Sequence, residues 1–367
     1  MTNGLIGVAV NPASGKDVRR LVARASVFDN QEKCAIVRRA IVGALGAGAN
    51  QFAYVPDSHG IAAAALAESG AAVQAFAVEA PRTGSVLDTT RGATALMAAG
   101  CAIVITLGGD GTNRAIALGW RNAPLIPIST GTNNVFPRLV EATVAGAAAG
   151  LIASGTIAMA DVARQAKTIT VQIDGERDDL ALIDVVLTNE RFVGARALLE
   201  ADELRMALLT RADPAAVGIT AIGGLYAPLA ETADRALLLT LGRGPNAVRA
   251  PIAPGMYATV RVAAAREVAF GETVTVIGPG VLAFDGERER VLKARQRARL
   301  TVQRDGPWVI DVPATLARAA ACGAFRVTVK DPVKDHGKDH VKDHVKDPVK
   351  DPVKDHVKDP SGDPHGD

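Results

Sequence analysis

The run Ala102-Ile103-Val104-Ile105-Thr106-Leu107 breaks abruptly into Gly108-Gly109-Asp110-Gly111-Thr112-Asn113-Arg114, and this junction constrains the fold more than any other stretch. Consecutive apolar and β-branched residues suit a parallel strand buried on both faces, and open α/β sheets bind ligands just past the carboxyl ends of such strands. Gly108, Gly109 and Gly111 have no Cβ, so they permit positive φ and let backbone N–H groups come close to a polyphosphate. Asp110 among them can hold Mg²⁺ or take a proton from an attacking hydroxyl. Taken by itself, the junction also fits a plain tight turn.

Two more junctions of this kind occur. Leu5 to Val10 reads as a short buried strand that runs into Asn11-Pro12-Ala13-Ser14-Gly15-Lys16-Asp17. A Walker A loop would need glycine where Val10 stands, so a P-loop is excluded. What remains is a turn in which Asn11, Pro12, Ser14 and the Gly15 N–H face phosphate, or else the start of a helix. Farther on, Pro124 to Ile128 leads into Ser129-Thr130-Gly131-Thr132-Asn133-Asn134, whose hydroxyls and amides suit phosphate or ribose, or an N-cap cluster.

Helical spacing between Val18 and Ala49, strands at Gln51–Val55 and Gln74–Val78, and a helix beginning at Ser85 predict alternation of strand and helix. Such alternation indicates a parallel sheet with its loops gathered along one edge. From Thr168 the pattern changes to alternating apolar and polar residues, with strand-like runs at Leu180–Leu187, Ala236–Leu241, Tyr257–Val262, Thr273–Ile277 and Leu300–Val302. These predict a mainly β, sandwich-like second part, with Arg191 to Arg211 as a helical insertion. From Lys330 a Lys-Asp-Pro-Val or Lys-Asp-His-Val repeat has nothing with which to build a core and reads as a disordered tail.

Composition narrows the function. With 367 residues, 48% of them hydrophobic and 4% aromatic, two cores can be buried. A formal net charge of +2 argues against a nucleic-acid partner. Cys34, Cys101 and Cys322 lie too far apart for paired metal spacing and read as small buried hydrophobes in a reducing compartment. The uncharged run from Ala142 to Ala160 is too weakly apolar for stable membrane insertion, and no signal peptide is evident, so a soluble cytoplasmic protein is expected. Whether it forms a homo-oligomer is left open.

Asn11-Pro12 with Ser14-Gly15, then Gly108-Gly109-Asp110-Gly111-Thr112, then Gly131-Thr132-Asn133 resemble, in that order, the motifs of the ATP-NAD kinase and diacylglycerol kinase superfamily. Within it, the opening loop and Thr188-Asn189-Glu190-Arg191-Phe192-Val193-Gly194-Ala195 are similar to the branch called acetoin-catabolism protein X. The resemblance, over roughly residues 1–325, implies an α/β nucleotide-binding domain (residues 1–160) and a mainly β substrate domain with a returning C-terminal segment (161–325), with the repeat tail (330–367) beyond it. It also implies a kinase using ATP and Mg²⁺ on a hydroxyl acceptor, with Asp110 catalytic and the three loops on the nucleotide. NAD, giving NADP, is the expected acceptor, because Asn189-Glu190 resembles the pair that contacts the far nucleoside in NAD kinases. Asp285-Gly286-Glu287 resembles the lipid-kinase branch, where it would hold a cation; it also fits a hairpin turn. A lipid or small-polyol kinase, an acceptor tied to acetoin catabolism, and a nucleotide-binding regulator without turnover stay open.

Overall fold

The computed structural model describes residues 4–15, 28–81, 83–131, 133–189 and 201–327. In its first half β1 (Leu5–Val10), α1 (Asn30–Gly46), β2 (Gln51–Tyr54), α2 (Ile61–Ala67), β3 (Gln74–Ala77), α3 (Val86–Ala98), β4 (Cys101–Gly108), α4 (Asp110–Gly119), β5 (Pro124–Ser129) and α5 (Ala142–Ala153) follow one another. The strands align in the order β3-β2-β1-β4-β5 and all pair in parallel. On β4, Ile103, Ile105 and Leu107 join one core with α1 and α5, while Cys101 and Val104 join another with α3 and α4. The apolar run is thus covered on both faces. After β1 the chain steps outward to β3 and then returns to the other side of β1, so the sheet order reverses between β1 and β4. A crevice opens at the carboxyl ends of such a pair.

The alanine-rich run that looked too polar for a bilayer has a different use. A Cβ at Gly146 would lie 1.8 Å from the Ala40 carbonyl oxygen, and one at Gly43 would lie 1.9 Å from that of Thr143. Helices α1 and α5 therefore touch backbone to backbone, which only glycine allows at these two positions. Gly43 has no role in the sequence reading; here it sets the spacing between two helices. Among the described residues no helix is long and apolar enough to cross a membrane.

The second half comprises β6 (Ala163–Gln165), β7 (Thr168–Ile173), β8 (Asp179–Ala181), β9 (Asp184–Thr188), β10 (Leu204–Leu209), α6 (Ile219–Tyr226), β11 (Arg235–Ala253), β12 (Met256–Ala269), β13 (Thr273–Ile277), β14 (Gly280–Phe284), β15 (Glu287–Leu292), β16 (Arg297–Gln303), β17 (Trp308–Ile310) and α7 (Val312–Ala321). A six-stranded antiparallel sheet, β12-β11-β10-β9-β14-β15, shares a core with the four-stranded sheet β13-β16-β7-β8. The run from Leu180 to Leu187 breaks at Leu182-Ile183, where the chain leaves one sheet for the other. Strand β17 then returns to the first sheet beside β5, with β6 antiparallel beyond it.

The expected helical insertion needs correction. Residues 191–200 lie outside the described residues, but Leu204–Leu209 is strand β10. Its residues are good helix formers, yet Met206 and Leu208 enter one core while Ala207 and Leu209 enter another. Burial with period two on both faces outweighs intrinsic propensity. Cys322 is exposed rather than buried, while Cys34 is half-buried and Cys101 buried. The Lys-Asp repeat from Lys330 lies outside the described residues.

Candidate active site at three strand ends

Strands β1, β4 and β5 are neighbours, so the loops that follow them meet, and side chains fasten them together. The Asn11 Nδ2 donates to Thr112 Oγ1 at 2.9 Å, joining the first loop to the second. Thr130 Oγ1 donates to Ser14 Oγ at 3.0 Å, joining the third to the first. Ser14 Oγ in turn donates to the Asn11 carbonyl at 2.7 Å. Gly15 has φ +77°, and a Cβ there would lie 2.8 Å from the Thr130 carbonyl oxygen. The glycines after β4 serve a different need from positive φ. Gly109 keeps φ at −103°, and a Cβ at Gly108 would lie 2.4 Å from Thr112 Oγ1. Gly108 is small so that the first turn of α4 can fold back onto the strand, and Gly109 so that Asn134 of the third loop can approach, a Cβ there lying 2.9 Å from its Oδ1.

These loops wall a cleft of about 1100 Å³. Among the expected residues, Asn11, Pro12, Ser14, Gly15, Gly109, Asp110, Gly111, Thr112, Asn133 and Asp285 line it. Gly108 and Gly131 stand behind the lining, where the Gly131 carbonyl accepts from Ser129 Oγ at 2.7 Å. Thr132 and Glu190 lie outside the described residues, as does the side chain of Glu287. Asn189 is not in the lining; its N–H donates to the Glu203 carbonyl. The opposite wall comes from the second half and is largely apolar, with Val217, Ile219 and Ile222 beside Ile252, Ala253 and Pro254.

Asp110 is half-buried at the start of α4, and its Oδ1 accepts the N–H groups of Phe136 at 2.7 Å and Val135 at 3.0 Å. Burial pushes its carboxyl up to about 7, the charge of Asp285 adds to this, and the two amides and Arg211 oppose it. Asp285 accepts the N–H groups of Leu182, Ile183 and Asp184, which fixes the sheet-to-sheet break. Burial raises it to about 6. The expectation of a cation at Asp285 and Glu287 therefore meets a carboxylate already engaged by amides. No group of three or more acidic, His or Cys side chains among the described residues is arranged for a metal ion.

Two polar atoms in the cleft wall stand out. Among the described residues Asp184 Oδ1 and Thr220 Oγ1 have no hydrogen-bond partner although both are buried, and both residues line the cleft. Orphaned buried polar atoms are rare in native proteins, since each costs about 1–3 kcal/mol. Burial holds Asp184 well above the ordinary carboxylate range, and the charges of Asp285 and Asp110 raise it further. A carboxyl whose folded pKa is raised stabilises the fold below its unfolded pKa, and that contribution is lost as pH rises through the folded value. Asp184→Asn imitates the protonated form. Its melting temperature should gain on that of the parent as pH rises from 5 to 8 in ligand-free protein; a difference that stays constant over this range would rule the coupling out.

The sequence reading missed several of these residues. Asp184 left a trace, as the one charge in the apolar run Leu180–Leu187, and Lys33 left another, since it falls on the apolar face of α1 with Ile36, Val37 and Ala40. Thr220, Arg114 and Arg211 carry no such local signal. Arg211, expected within a helix, follows β10 and reaches Glu231 Oε2 at 2.8 Å and the Val135 carbonyl, securing the segment that Asp110 binds.

Known proteins match this arrangement half by half. Residues 6–157 fit the family model of the ATP-NAD kinase N-terminal domain, and residues 167–305 that of the Acetoin catabolism protein X C-terminal domain. Over 331 residues the chain is 34% identical to Acetoin catabolism protein X of Cupriavidus necator, covering 86% of this chain and 92% of that protein. Solved structures that resemble it include yeast NADH kinase complexed with NADH, at TM-score 0.48 and 11% identity over 89% of each chain. A diacylglycerol kinase-like protein of Bacillus anthracis aligns at TM-score 0.43 and 14% identity, over 85% of this chain and 98% of that one. With one relative matched at 34% identity along 92% of its length and the two family models fitting the two halves in turn, this chain, NAD kinase-like in fold, belongs to the acetoin catabolism protein X family.

Proposed function

We propose that the chain is an ATP-dependent phosphotransferase acting on the hydroxyl of a small, uncharged compound. The observation that carries this reading is the meeting of three phosphate-type loops around Asp110, opposite a wall in which Asp184 Oδ1 and Thr220 Oγ1 have no partner among the described residues. Phosphoryl transfer asks for a clamped polyphosphate and an aligned hydroxyl more than for covalent chemistry. In this reading Ser14, Gly15, Thr112 and Asn133 hold the phosphates of ATP. Mg²⁺ supplies charge neutralisation as the counter-ion of the nucleotide. Asp184 and Thr220 hydrogen-bond the acceptor, and Asp110 takes its proton.

Charge supports an uncharged acceptor. The described lining contains Asp57, Asp88, Asp110, Asp184 and Asp285 and no Lys, Arg or His, which disfavours a second pyrophosphate beside ATP. The relative's name points to acetoin, a four-carbon hydroxyketone, as the first compound to try. NAD is the second reading, favoured by the NAD kinase family model over residues 6–157. Incubation with ATP and Mg²⁺ and, separately, acetoin, butane-2,3-diol, glycerol, NAD and dispersed diacylglycerol decides among them. Phosphorylation of a small uncharged compound supports the first reading and NADP formation the second. Turnover of none of them, despite ATP binding, favours a nucleotide-binding regulator.

A further inference from the structure

The polyphosphate side of the cleft shows no cationic side chain among its described lining residues, yet a cation sits directly behind it. Lys33, in the first turn of α1, is 0% exposed. Its Nζ donates to the carbonyl oxygens of Asn11 at 3.1 Å, Pro12 at 2.8 Å and Ser14 at 2.6 Å, with Asn30 Oδ1 at 3.4 Å. An ammonium fully out of water is costly unless its donors are met, so a purely structural role at this position would be filled better by an apolar residue like its neighbours Ile36 and Val37.

The geometry of the peptide group says what the lysine does instead. In a trans peptide the C=O and the following N–H point in opposite directions. Carbonyls drawn toward Lys33 therefore turn the next N–H groups away from it. The Ala13 N–H is taken by Asn11 Oδ1 at 2.9 Å, whereas Gly15, following the Ser14 carbonyl with its shortest contact to Lys33, lines the cleft. Oriented amides of this kind form anion-binding concavities, and a fixed positive charge behind them strengthens their field in a site of low dielectric.

We propose that Lys33 is a positioning residue of the phosphate site: by collecting the backbone carbonyls of Asn11, Pro12 and Ser14 it aims the Gly15 amide into the cleft and supplies the buried positive charge for a bound polyphosphate. This rests on the phosphotransferase reading above. The test compares the full-length parent with Lys33→Met and Lys33→Gln, using inorganic tripolyphosphate and ATP with Mg²⁺ as probes. Both variants should raise the KM for ATP about tenfold or more, as loss of a charge-assisted contact does, and lose most of the thermal stabilisation given by tripolyphosphate. The KM of whichever acceptor is turned over should stay within about twofold, a split that general loosening of the fold would not give. If the parent binds tripolyphosphate and the folded variants bind it equally well, the assignment of Lys33 fails while the phosphotransferase reading survives. A parent that binds neither probe removes both. Failure of both variants to fold makes Lys33 structural alone and overturns the proposal.

Discussion

Asp110→Asn is expected to lower kcat by about 10²- to 10⁴-fold, the usual contribution of a positioned general base, with ATP binding largely kept. The substitution is nearly isosteric. Asparagine Oδ1 can still accept the Val135 and Phe136 amides that Asp110 accepts at 3.0 and 2.7 Å, so the segment after β5 keeps its place. What is lost is the charge and the proton acceptor. The carboxyl is pushed up to about 7, chiefly by burial, so a base role also fixes a pH profile for the parent. Below pH 7 kcat/KM should fall about tenfold per unit as the base is protonated, and this limb should be absent in the variant. A large loss in kcat with no acid limb in the parent would instead make Asp110 an orienting group for the loop. Turnover at the parental rate would remove it from the chemistry altogether.

Arg114→Leu is expected to destabilise the protein by about 3 kcal/mol, the low end for breaking a buried ion pair, because Asp179 keeps a second cationic partner in Arg290. Arg114 is 5% exposed, and its Nη2 donates to Asp179 Oδ1 at 2.6 Å while Nε donates to the Leu180 carbonyl. Its guanidinium lies 5.0 Å from the centre of the Phe284 ring. One side chain from the helix that begins at Asp110 thereby reaches β8 of the four-stranded sheet and β14 of the six-stranded one. Removing it leaves Asp179 buried, with Arg290 Nη2 at 3.0 Å as its cationic partner. In a chain of this size the melting temperature should fall by about 5 °C. The double variant Arg114→Leu/Asp179→Leu should recover part of that, because the buried carboxylate is then gone and the partly exposed Arg290 keeps Glu176 at 3.5 Å. A melting temperature for Arg114→Leu within about 2 °C of the parent would show that the pair does not hold the two halves.

Much of this molecule could be read locally. A strand that ends in glycines announces a sharp turn wherever it occurs, and three such junctions in one alternating βα series place their loops along one edge of a sheet. That is why β1, β4, β5 and the lining residues Asn11, Ser14, Gly109, Asp110 and Thr112 follow from the sequence. The strand at Leu204–Leu209 did not, because its periodicity is satisfied by two cores that exist only once both sheets have packed. Asn189-Glu190 is expected at the cleft from its resemblance to the NAD kinase pair; Asn189 is not in the lining and Glu190 lies outside the described residues, while Asp184, five positions before Asn189 inside the apolar run, lines the cleft.

The apolar periodicity, the glycines and the small-residue loops are local properties of the chain, and they alone determine the parallel sheet and the edge at which a ligand would sit. The groups that give that edge its electrostatics arrive from elsewhere: Lys33 reaches Asn11 across 22 residues, Arg114 reaches Asp179 across 65, and Arg211 reaches Val135 across 76. Each charge is buried only after helices and sheets have closed over it, and a carboxyl is driven up only by the desolvation that closure brings. Strand crossover and sheet packing, which no local window of sequence encodes, decide which charges stand behind the phosphate loops and which oxygens are left facing the cleft.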